Sequence, residues 1–425
     1  MTDVLSPTAA RRAFLALTFT RWFPVGLVVG VITLWILERG LSISEALLAF
    51  SLQGIVVFLL ELPTSGFADA FGRRPMLIAS AVVNVIAGVV MIVADSFWYF
   101  VVAAALQGVF RALDSGPLEA WYVDTVHVTE PGADVDRTLA AQGTVLGGSM
   151  AVGAVISGGL IAWGPLPAAS ALLLPMLCWA SLNAVHLLAV VVLMKEPATH
   201  VDATGVRRAA DSVREAPAVI RDGLGLLRSN RVLRCVVLVE LFWTAALIVF
   251  ETFQPIRLAE LVGGEEQAGA LMGPVAAVGW GAFAAGSALA GLGSRRFGVA
   301  RTAIAARILN GLGAVTMGLA AGPVALIAAY LFTYSMHGTG GPMHATLLHR
   351  EASAANRATV LSMGSMVFFA TFSLLGTPLG LLAEATSTQV SMVAAGAFSL
   401  LGAFLYLPAL RAERERDRAP SAALT

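Results

Sequence analysis

Charged residues are scarce in this chain: Asp, Glu, Lys and Arg make up only 13% of its 425 residues, about half of the roughly 25% that is usual in soluble proteins. Hydrophobic residues reach 57%, so too few charges remain to cover the surfaces of several water-soluble domains. Basic and acidic residues are balanced at 27 each, which leaves no net positive charge for nucleic acid. The composition argues against a soluble enzyme, a disordered protein and a nucleic-acid-binding protein, and it favours a membrane protein.

Cysteine and lysine are almost absent. The two cysteines, Cys178 and Cys235, lie in separate apolar runs, and such a pair predicts neither a disulfide framework nor a zinc site. We therefore expect no metal and no cofactor. Lys195 is the single lysine, so the chain lacks a Gly-Lys-Ser/Thr phosphate loop and is not expected to hydrolyse ATP.

Long apolar runs recur along almost the whole sequence. A bilayer core of about 30 Å is crossed by roughly 20 helical residues, and twelve runs of that length are predicted as membrane spans. They cover residues 14–37, 44–64, 76–94, 97–121, 139–163, 168–194, 232–256, 267–291, 302–321, 323–347, 358–383 and 387–410. The first run follows Arg11 and Arg12 but is too long for the apolar region of a signal peptide, so we interpret it as a retained first helix.

The positions of the arginines predict which side of the membrane each loop faces. With both termini placed in the cytoplasm, the inner segments hold most of the arginines, and the outer loops hold only Arg39 and Arg257. This bias follows the positive-inside rule, and it requires an even number of spans. We expect a monomeric, multi-pass protein of the cell inner (plasma) membrane with both termini cytoplasmic.

The longest polar stretch, from Lys195 to about Asn230, divides six spans from six. Residues 115–120 (Ser-Gly-Pro-Leu-Glu-Ala) in span four are similar to residues 340–345 (Gly-Gly-Pro-Met-His-Ala) in span ten, which indicates an internal repeat. Two halves in the same orientation are typical of secondary transporters with a central site. The predicted fold is an all-α membrane protein with twelve transmembrane helices in two parallel, pseudo-symmetric six-helix bundles. The predicted domains are an N-terminal half at 1–197, a cytoplasmic linker at 198–230, a C-terminal half at 231–410 and a cytoplasmic tail at 411–425.

The loop between spans two and three carries a recognisable motif. Residues 66–75 read Gly-Phe-Ala-Asp-Ala-Phe-Gly-Arg-Arg-Pro. This loop resembles the signature of the major facilitator superfamily, in which a glycine, an aspartate, a second glycine and two basic residues stand at this spacing. Ala70 departs from the pattern, because the family usually has a basic residue there. The alternative interpretation is a basic turn that only obeys the positive-inside rule.

The resemblance implies the major facilitator fold and secondary transport by alternating access. It also implies a conformational-gating loop in which Asp69, Gly72 and Arg73 stabilise the outward-facing state. The full set of predicted loop residues is Gly66, Asp69, Gly72, Arg73 and Arg74. The chemistry of these residues agrees, since glycine supports a turn with unusual dihedral angles and the arginines can anchor at an anionic leaflet.

Ionisable residues inside a span are costly, by about 2.5–3.5 kcal/mol on insertion, and are therefore candidates for function. Span four holds Arg111, Asp114 and Glu119. Arg111 resembles the span-four arginine that drug/proton antiporters of the superfamily use in proton coupling. The alternative is a structural ion pair with Asp114, which lies on the same helix face.

Spans one and seven carry charges at quasi-equivalent positions, Arg21 and Glu240, which can face one another across a central cavity. Glu251 lies further along span seven on a similar face. Carboxylates in an apolar cavity can bind and release protons near neutral pH, so Glu240 and Glu251 are the leading proton-site candidates, followed by Asp114. The alternative for Glu251 is an ion pair with Arg257.

Two histidines and a few aromatic residues complete the candidate site. His337 and His344 share one face of span ten, and histidine can titrate at physiological pH. Because no cysteine or acidic partner stands at ligand spacing, they are interpreted as cavity-lining residues and not as a metal site. The predicted cavity aromatics, which would suit apolar or cationic aromatic substrates unless they face lipid, are Trp22, Phe23, Phe242 and Trp243.

The sequence thus predicts a secondary active transporter, and its leading interpretation is proton-coupled efflux of small amphipathic compounds or drugs by alternating access. The expected partners are a small-molecule substrate, protons and the lipid bilayer, without nucleic acid. Proton-coupled uptake of a sugar or another nutrient is the main alternative. A transport-dead sensor and a membrane-embedded enzyme are less favoured, and no clustered catalytic set supports the enzyme.

Overall fold

The chain is almost entirely helical in the part that the computed structural model describes, which comprises residues 5–65, 67, 71–165, 169–196, 203–353 and 356–418. It divides into two compact units, Met1–Ala216 with Gly264–Ala277 and Pro217–Gly263 with Val278–Thr425. The first helices are α1 (Pro7–Val28), α2 (Ile32–Glu38), α3 (Ile43–Ser65), α4 (Arg73–Val93), α5 (Phe97–Asp114), α6 (Pro117–Thr129), α7 (Asp136–Trp163) and α8 (Leu173–Leu193). The later elements are α9 (Ala203–Ser229), α10 (Arg231–Leu247), a π-helical segment (Ile248–Phe253), α11 (Gln254–Val262), α12 (Glu265–Phe297), α13 (Val299–Leu319), α14 (Pro323–Glu351), α15 (Arg357–Ala385), α16 (Thr388–Leu400), a 3-10 segment (Leu401–Tyr406) and α17 (Leu407–Arg418).

Most of the predicted spans correspond to helices that are able to cross a bilayer. Within the described residues, ten helical stretches are long and apolar enough, and the pair α1 and α2 makes eleven if its 41° bend lies within one span. Helix α14 coincides with the predicted tenth span and has 29 residues, but it is not among these stretches. Its tyrosines, histidines and glycines lower its hydropathy.

The exposed surface of these helices is apolar. Val324 is 80% exposed, and Trp98 and Trp163 are each 72% exposed at helix ends. A water-soluble protein rarely presents such an extended apolar surface, whereas lipid solvates it and tryptophan is enriched where a helix meets the membrane interface. The distribution of side chains agrees with a multi-pass membrane protein.

Close helix crossings in the first unit are built on glycine. Gly26 of α1 and Gly153 of α7 each pack against the backbone of the other helix, with no room for a Cβ atom. Further along α7, Gly158 meets Gly273 in the same way. Small residues let membrane helices approach until backbone atoms touch, which adds van der Waals contact where the hydrophobic effect does not drive helix association.

The second unit has an equivalent crossing between α12 and α14. Gly286 lies against the backbone of Ser335, and Gly338 lies against the backbone of Phe283. Two hydrogen bonds tie the crossing together, from Thr339 Oγ1 to the Gly286 carbonyl at 2.9 Å and from Ser287 Oγ to the Gly338 carbonyl at 3.1 Å. This contact fixes the part of α14 that carries several of the candidate residues described below.

The predicted fourth span is interrupted. Helix α5 ends at Asp114, and α6 begins at Pro117 after Ser115 and Gly116. Gly116 has a φ of +91°, which favours glycine, and proline is well suited to the first turn of a helix. The interruption places the Asp114 carboxylate at a helix end instead of in the middle of a regular span.

The predicted linker contains a helix, α9, with Pro217 inside it. The two compact units divide at Pro217. The limits of the four predicted domains, and the orientation of the termini, stay predictions.

Candidate functional site

The predicted gating loop is described in part. Gly66 and Asp69 lie outside the described residues, whereas Gly72, Arg73 and Arg74 lie within them. Gly72 has a φ of +94°, as expected for a turn that needs glycine, and it immediately precedes α4.

The start of α4 holds a carboxylate. The backbone N–H groups of Arg73 and Arg74 donate to the two carboxylate oxygens of Glu196, each at 2.9 Å. These N–H groups have no partner within their own helix, and the positive end of the helix dipole favours a negative charge there. Glu196 therefore caps α4 from the segment that follows α8.

The two arginine side chains bind protein groups as well. The Arg73 guanidinium lies 2.7 Å from the Asp124 carboxylate of α6. Arg74 donates to the Val191 carbonyl of α8 at 2.8 Å. The start of α4 is thus tied to both α6 and α8, so these arginines do more than anchor at a leaflet.

The second unit repeats this arrangement with different residues. Gly298 has a φ of +86° before α13, and the N–H groups of Val299 and Ala300 donate to Glu413 at 3.0 and 2.8 Å. Arg350 of α14 donates to the same carboxylate at 3.1 Å. Sequence reasoning missed both capping glutamates. A glutamate shortly after the last apolar run of each half, at Glu196 and Glu413, was the available signal.

Loss of the Glu196 cap is expected to destabilise the first unit. Glu196→Ala removes two charge-assisted hydrogen bonds, and bonds of this type contribute about 1.5–3 kcal/mol each to stability. We expect a lower apparent melting temperature for the detergent-purified protein, and we expect Glu413→Ala to have a similar effect. Glu415→Ala, at an exposed position of the same tail, is the control. Equal melting temperatures for all four proteins would contradict the capping role.

A buried ion pair lies inside the first unit. The Arg21 Nε atom of α1 lies 2.7 Å from the Asp114 carboxylate of α5, and the two side chains are 10% and 18% exposed. The Arg21 guanidinium also lies over the rings of Trp22 and Phe110, at 4.8 and 4.3 Å from their centres. Its Nη1 atom is buried without a hydrogen-bond partner. The salt-bridge partner of Asp114 is therefore Arg21.

Other titratable groups surround this pair. Arg111 lies near enough to interact electrostatically with Arg21, Asp114 and Glu61. His186 of α8 forms a 2.9 Å hydrogen bond with Thr20 and lies near both members of the pair. Sequence reasoning missed this neighbour.

Glu119 of α6 lies apart from the pair. It accepts a hydrogen bond from Gln142 of α7, so its partner is an amide and not a charged group.

The second unit contains a buried chain of polar groups from α10, α14 and the 3-10 segment. His344 Nε2 of α14 lies 3.0 Å from Glu240 Oε1 of α10. Its other ring nitrogen, Nδ1, forms a 2.8 Å hydrogen bond with the Tyr406 hydroxyl. The second carboxylate oxygen of Glu240 is buried without a hydrogen-bond partner. Arg307 and His337 complete this group, since Arg307 lies near both histidines.

Each unit has a buried pair between its first and fourth spans, but the partners on the fourth spans are not equivalent, because His344 aligns with Glu119 and not with Asp114 in the repeat. In the first unit a cation on span one, Arg21, pairs with an acid on span four. In the second unit an acid on span seven, Glu240, pairs with a histidine on span ten. Sequence reasoning identified Arg21 and Glu240 as quasi-equivalent, but each has its closest partner within its own unit. The expectation that they face one another stays a prediction.

Glu251 lies in a different environment. It is in the π-helical segment, and it accepts a hydrogen bond from the Tyr334 hydroxyl at 3.1 Å. The alternative that it pairs with Arg257 is wrong, because Arg257 pairs with Glu260 at 2.7 Å. π-helical turns are rare and frequently occur at functional sites.

Aromatic rings surround Glu251 and its partner. Tyr334 has ring contacts with Phe250, Trp280 and Phe283, at 5.7, 6.0 and 6.1 Å between ring centres. His337, one helical turn further along α14, stacks on Trp243 at 5.2 Å. Of the predicted cavity aromatics, only Trp243 belongs to this cluster.

The other predicted aromatics have different roles. Trp22 lies beneath Arg21, Phe23 stacks on Phe19, and Phe242 packs against Phe398. Sequence reasoning missed Trp280, Phe283 and Tyr334, because helical periodicity alone does not separate a ring that faces lipid from one that faces another helix.

Comparison with known proteins identifies the family. The family model described as Major Facilitator Superfamily matches residues 14–374. The chain belongs to the major facilitator superfamily. It is accordingly a multi-pass membrane transporter, and the predicted fold is confirmed. No curated protein matches this superfamily member in sequence.

Solved structures of other transporters share the fold. The nucleoside transporter NupG is 12% identical, with a TM-score of 0.75 over 94% of this chain and 99% of its own. A POT family transporter in complex with a thioalcohol-conjugated peptide is 14% identical, with a TM-score of 0.69 over 95% and 96%. Peptide transporter POT in complex with sulfate is 14% identical, with a TM-score of 0.71 over 95% and 94%. At these identities the likeness shows the fold and leaves the substrate of this superfamily member open.

Proposed function

We propose that this major facilitator superfamily member is a proton-coupled exporter of small amphipathic compounds that works by alternating access. The observation that carries the proposal is the buried chain of Glu240, His344 and Tyr406. A carboxylate and an imidazole 3.0 Å apart can share a proton. The net charge of the pair then depends on how many protons it holds. The unpartnered Glu240 oxygen is a position at which a further proton can bind.

The energetic argument favours a functional pair over a structural one. A buried carboxylate oxygen without a partner lowers stability, and ionisable residues within membrane spans are retained mainly where they serve transport. Protonation removes the buried charge and therefore reduces the penalty. The protonation state of Glu240 thus changes the energy of the second unit, which is what coupling a proton to a conformational change requires.

The environment of the site supports amphipathic substrates. Aromatic rings surround Tyr334, which bonds to Glu251, and apolar pockets with few polar groups bind apolar or amphipathic molecules.

Proton-coupled uptake of a nutrient is the second candidate. The structurally similar proteins include the nucleoside transporter NupG and a POT family transporter in complex with 5-aminolevulinic acid, and one similar structure concerns proton-dependent oligopeptide transporters. Substrates of this kind are polar, whereas the aromatic surroundings of Glu251 favour less polar molecules.

Proteoliposomes with an imposed pH gradient test the proposal. Cationic dyes, antibiotics, sugars and peptides are supplied in turn, and proton movement is followed with a pH-sensitive dye. We expect amphipathic compounds to drive proton flux in exchange, and we expect Glu240→Gln and His344→Gln to reduce it about tenfold or more, because each removes part of the buried proton-binding group.

His349→Gln is the matched control, because His349 lies on the same helix at an exposed position and is expected to leave flux unchanged. Sugar or peptide accumulation without any response to amphipathic compounds would contradict export. Unchanged pH dependence in Glu240→Gln would remove that residue from coupling.

A further inference from the structure

We propose that Glu251, with the rings of Phe250, Trp280, Phe283 and Tyr334, forms a binding site for a monovalent organic cation of apolar, aromatic character. This inference rests on the proposed export function and names its substrate class. All five residues belong to the second unit, and they come from three elements, the π-helical segment, α12 and α14.

Glu251 supplies a carboxyl group that has no cationic partner among the described residues. Its hydrogen bond comes from the Tyr334 hydroxyl, at 3.1 Å. Among the residues that the structure describes, no cationic side chain lies within 4.0 Å of the Glu251 carboxylate. The arginine nearest in sequence, Arg257, binds Glu260 and the Ala320 carbonyl. An acid in an apolar span without a cationic partner is suited to a ligand that brings the positive charge.

The backbone turns this carboxylate toward the aromatic cluster. Helix α10 continues as a π-helical segment from Ile248 to Phe253, and a π-helical turn adds a residue to the local repeat. Phe250 and Phe253 are 2% and 0% exposed, whereas Glu251 is half-buried. Glu251 is therefore less deeply buried than the phenylalanines at 250 and 253.

The rings are arranged around Tyr334. Phe250 meets it edge-on at 5.7 Å, Trp280 edge-on at 6.0 Å and Phe283 at 6.1 Å between ring centres. Trp280 and Phe283 also contact each other at 5.8 Å, and both are half-buried. Half-buried rings near one carboxylate offer π faces to a cation, and tryptophan faces bind cations best among aromatic side chains.

One buried positive charge of the second unit, Arg307, lies towards Trp243 and away from Glu251 along α10. Arg307 lies beside Trp243, at 5.5 Å from the ring centre, and near His337 and His344. Trp243 precedes Glu251 by about two helical turns, a rise of roughly 12 Å. Arg307 therefore serves the Glu240 and His344 group, and the Glu251 group has the charge and ring content to hold a separate cation.

The chemistry selects against other ligand classes. An anion would meet the carboxylate of Glu251. A hydrated metal ion would need several oxygen ligands, whereas rings outnumber oxygens here. A delocalised or quaternary cation needs no directional hydrogen bonds, so ring faces and one carboxylate suffice.

Equilibrium binding of tritiated tetraphenylphosphonium to the detergent-purified full-length protein tests the inference without a proton gradient. We expect saturable binding to the wild type. Glu251→Gln is expected to bind about tenfold or more weakly, and Trp280→Leu several-fold more weakly. The matched controls are Glu130→Gln and Trp163→Leu, both at exposed positions of the first unit, and both are expected to bind like the wild type.

A neutral probe separates loss of charge from loss of fold. Triphenylphosphine oxide, which has similar rings and no charge, is expected to compete equally in wild type and in Glu251→Gln. Wild-type tetraphenylphosphonium affinity in Glu251→Gln, or the absence of saturable binding to the wild type, would overturn the inference. Binding that depends on Glu251 but is not accompanied by transport in proteoliposomes would support the cation site and contradict the proposed export function.

Discussion

Replacing Asp114 by asparagine is expected to destabilise the protein by about 3–5 kcal/mol, the range for a buried ion pair that loses one partner. The Arg21 side chain is only 10% exposed and lies 2.7 Å from the Asp114 carboxylate. Asparagine keeps the shape but leaves the guanidinium charge buried and uncompensated. The apparent melting temperature of the detergent-purified protein is the measurement. Asp95→Asn, at an exposed position before α5, is the control and is expected to melt like the wild type.

A variant in which both Arg21 and Asp114 are replaced distinguishes a structural role of the pair from a role in transport. Arg21→Met with Asp114→Leu replaces the pair by apolar side chains of similar size, and such replacements are often neutral or stabilising. We therefore expect the double variant to recover most of the stability that Asp114→Asn loses. If the stable double variant still transports, the pair is structural, and if it does not, the pair takes part in transport. A double variant that melts as early as Asp114→Asn would contradict the ion-pair explanation.

Much of the architecture could be predicted because membrane spans leave a strong signal. Apolar runs of about 20 residues located the helices, and the gating-loop motif indicated the family. The interruptions were harder. Gly116 and Pro117 divide the predicted fourth span, and the π-helical segment interrupts the predicted seventh. Such breaks form where neighbouring helices offer hydrogen-bond partners to the freed backbone groups. The order of apolar residues in the sequence does not show which partners are present.

The charged residues of the site could be found, but their partners could not. An ionisable residue in an apolar run is conspicuous, so Arg21, Asp114, Glu240 and Glu251 were all identified from the sequence. Helix spacing suggested Arg111 as the partner of Asp114, whereas the structure places Arg21 of α1 at 2.7 Å from the Asp114 carboxylate. A pairing between helices depends on their crossing and rotation, and sequence spacing within one helix gives neither.

The aromatic residues show the same limit. Trp163 is 72% exposed, whereas Trp280 contacts Phe283 and Tyr334. Both stand in long apolar helices, and both would satisfy a search for aromatic cavity residues. Only the contacts between α12 and α14 distinguish them, and these contacts depend on the glycines where the two helices cross.

Gly286→Ala is expected to lower the stability of the second unit, although alanine normally stabilises a helix relative to glycine by up to about 1 kcal/mol. A Cβ atom on Gly286 would overlap the Ser335 carbonyl group of α14, and a backbone carbonyl cannot rotate away as a side chain can. Overpacking of a tight contact costs about 1–3 kcal/mol of stability. The larger side chain of Gly286→Val is expected to cost as much as the upper end of this range or more. The measurement is the apparent melting temperature, together with the yield of monodisperse protein.

Gly281→Ala on the same helix is the matched control, because no atom lies within 4 Å of a Cβ at that position. It should be neutral or stabilising, so the two substitutions are expected to act in opposite directions although they are chemically identical. The same contrast is expected on α14, where Gly338 meets Phe283 and Gly341 meets open space. Since Phe283 and Tyr334 lie beside this crossing, Gly286→Ala should also weaken tetraphenylphosphonium binding in protein that remains folded. A Gly286→Ala protein that melts and binds like the wild type would show that α12 and α14 do not depend on this contact.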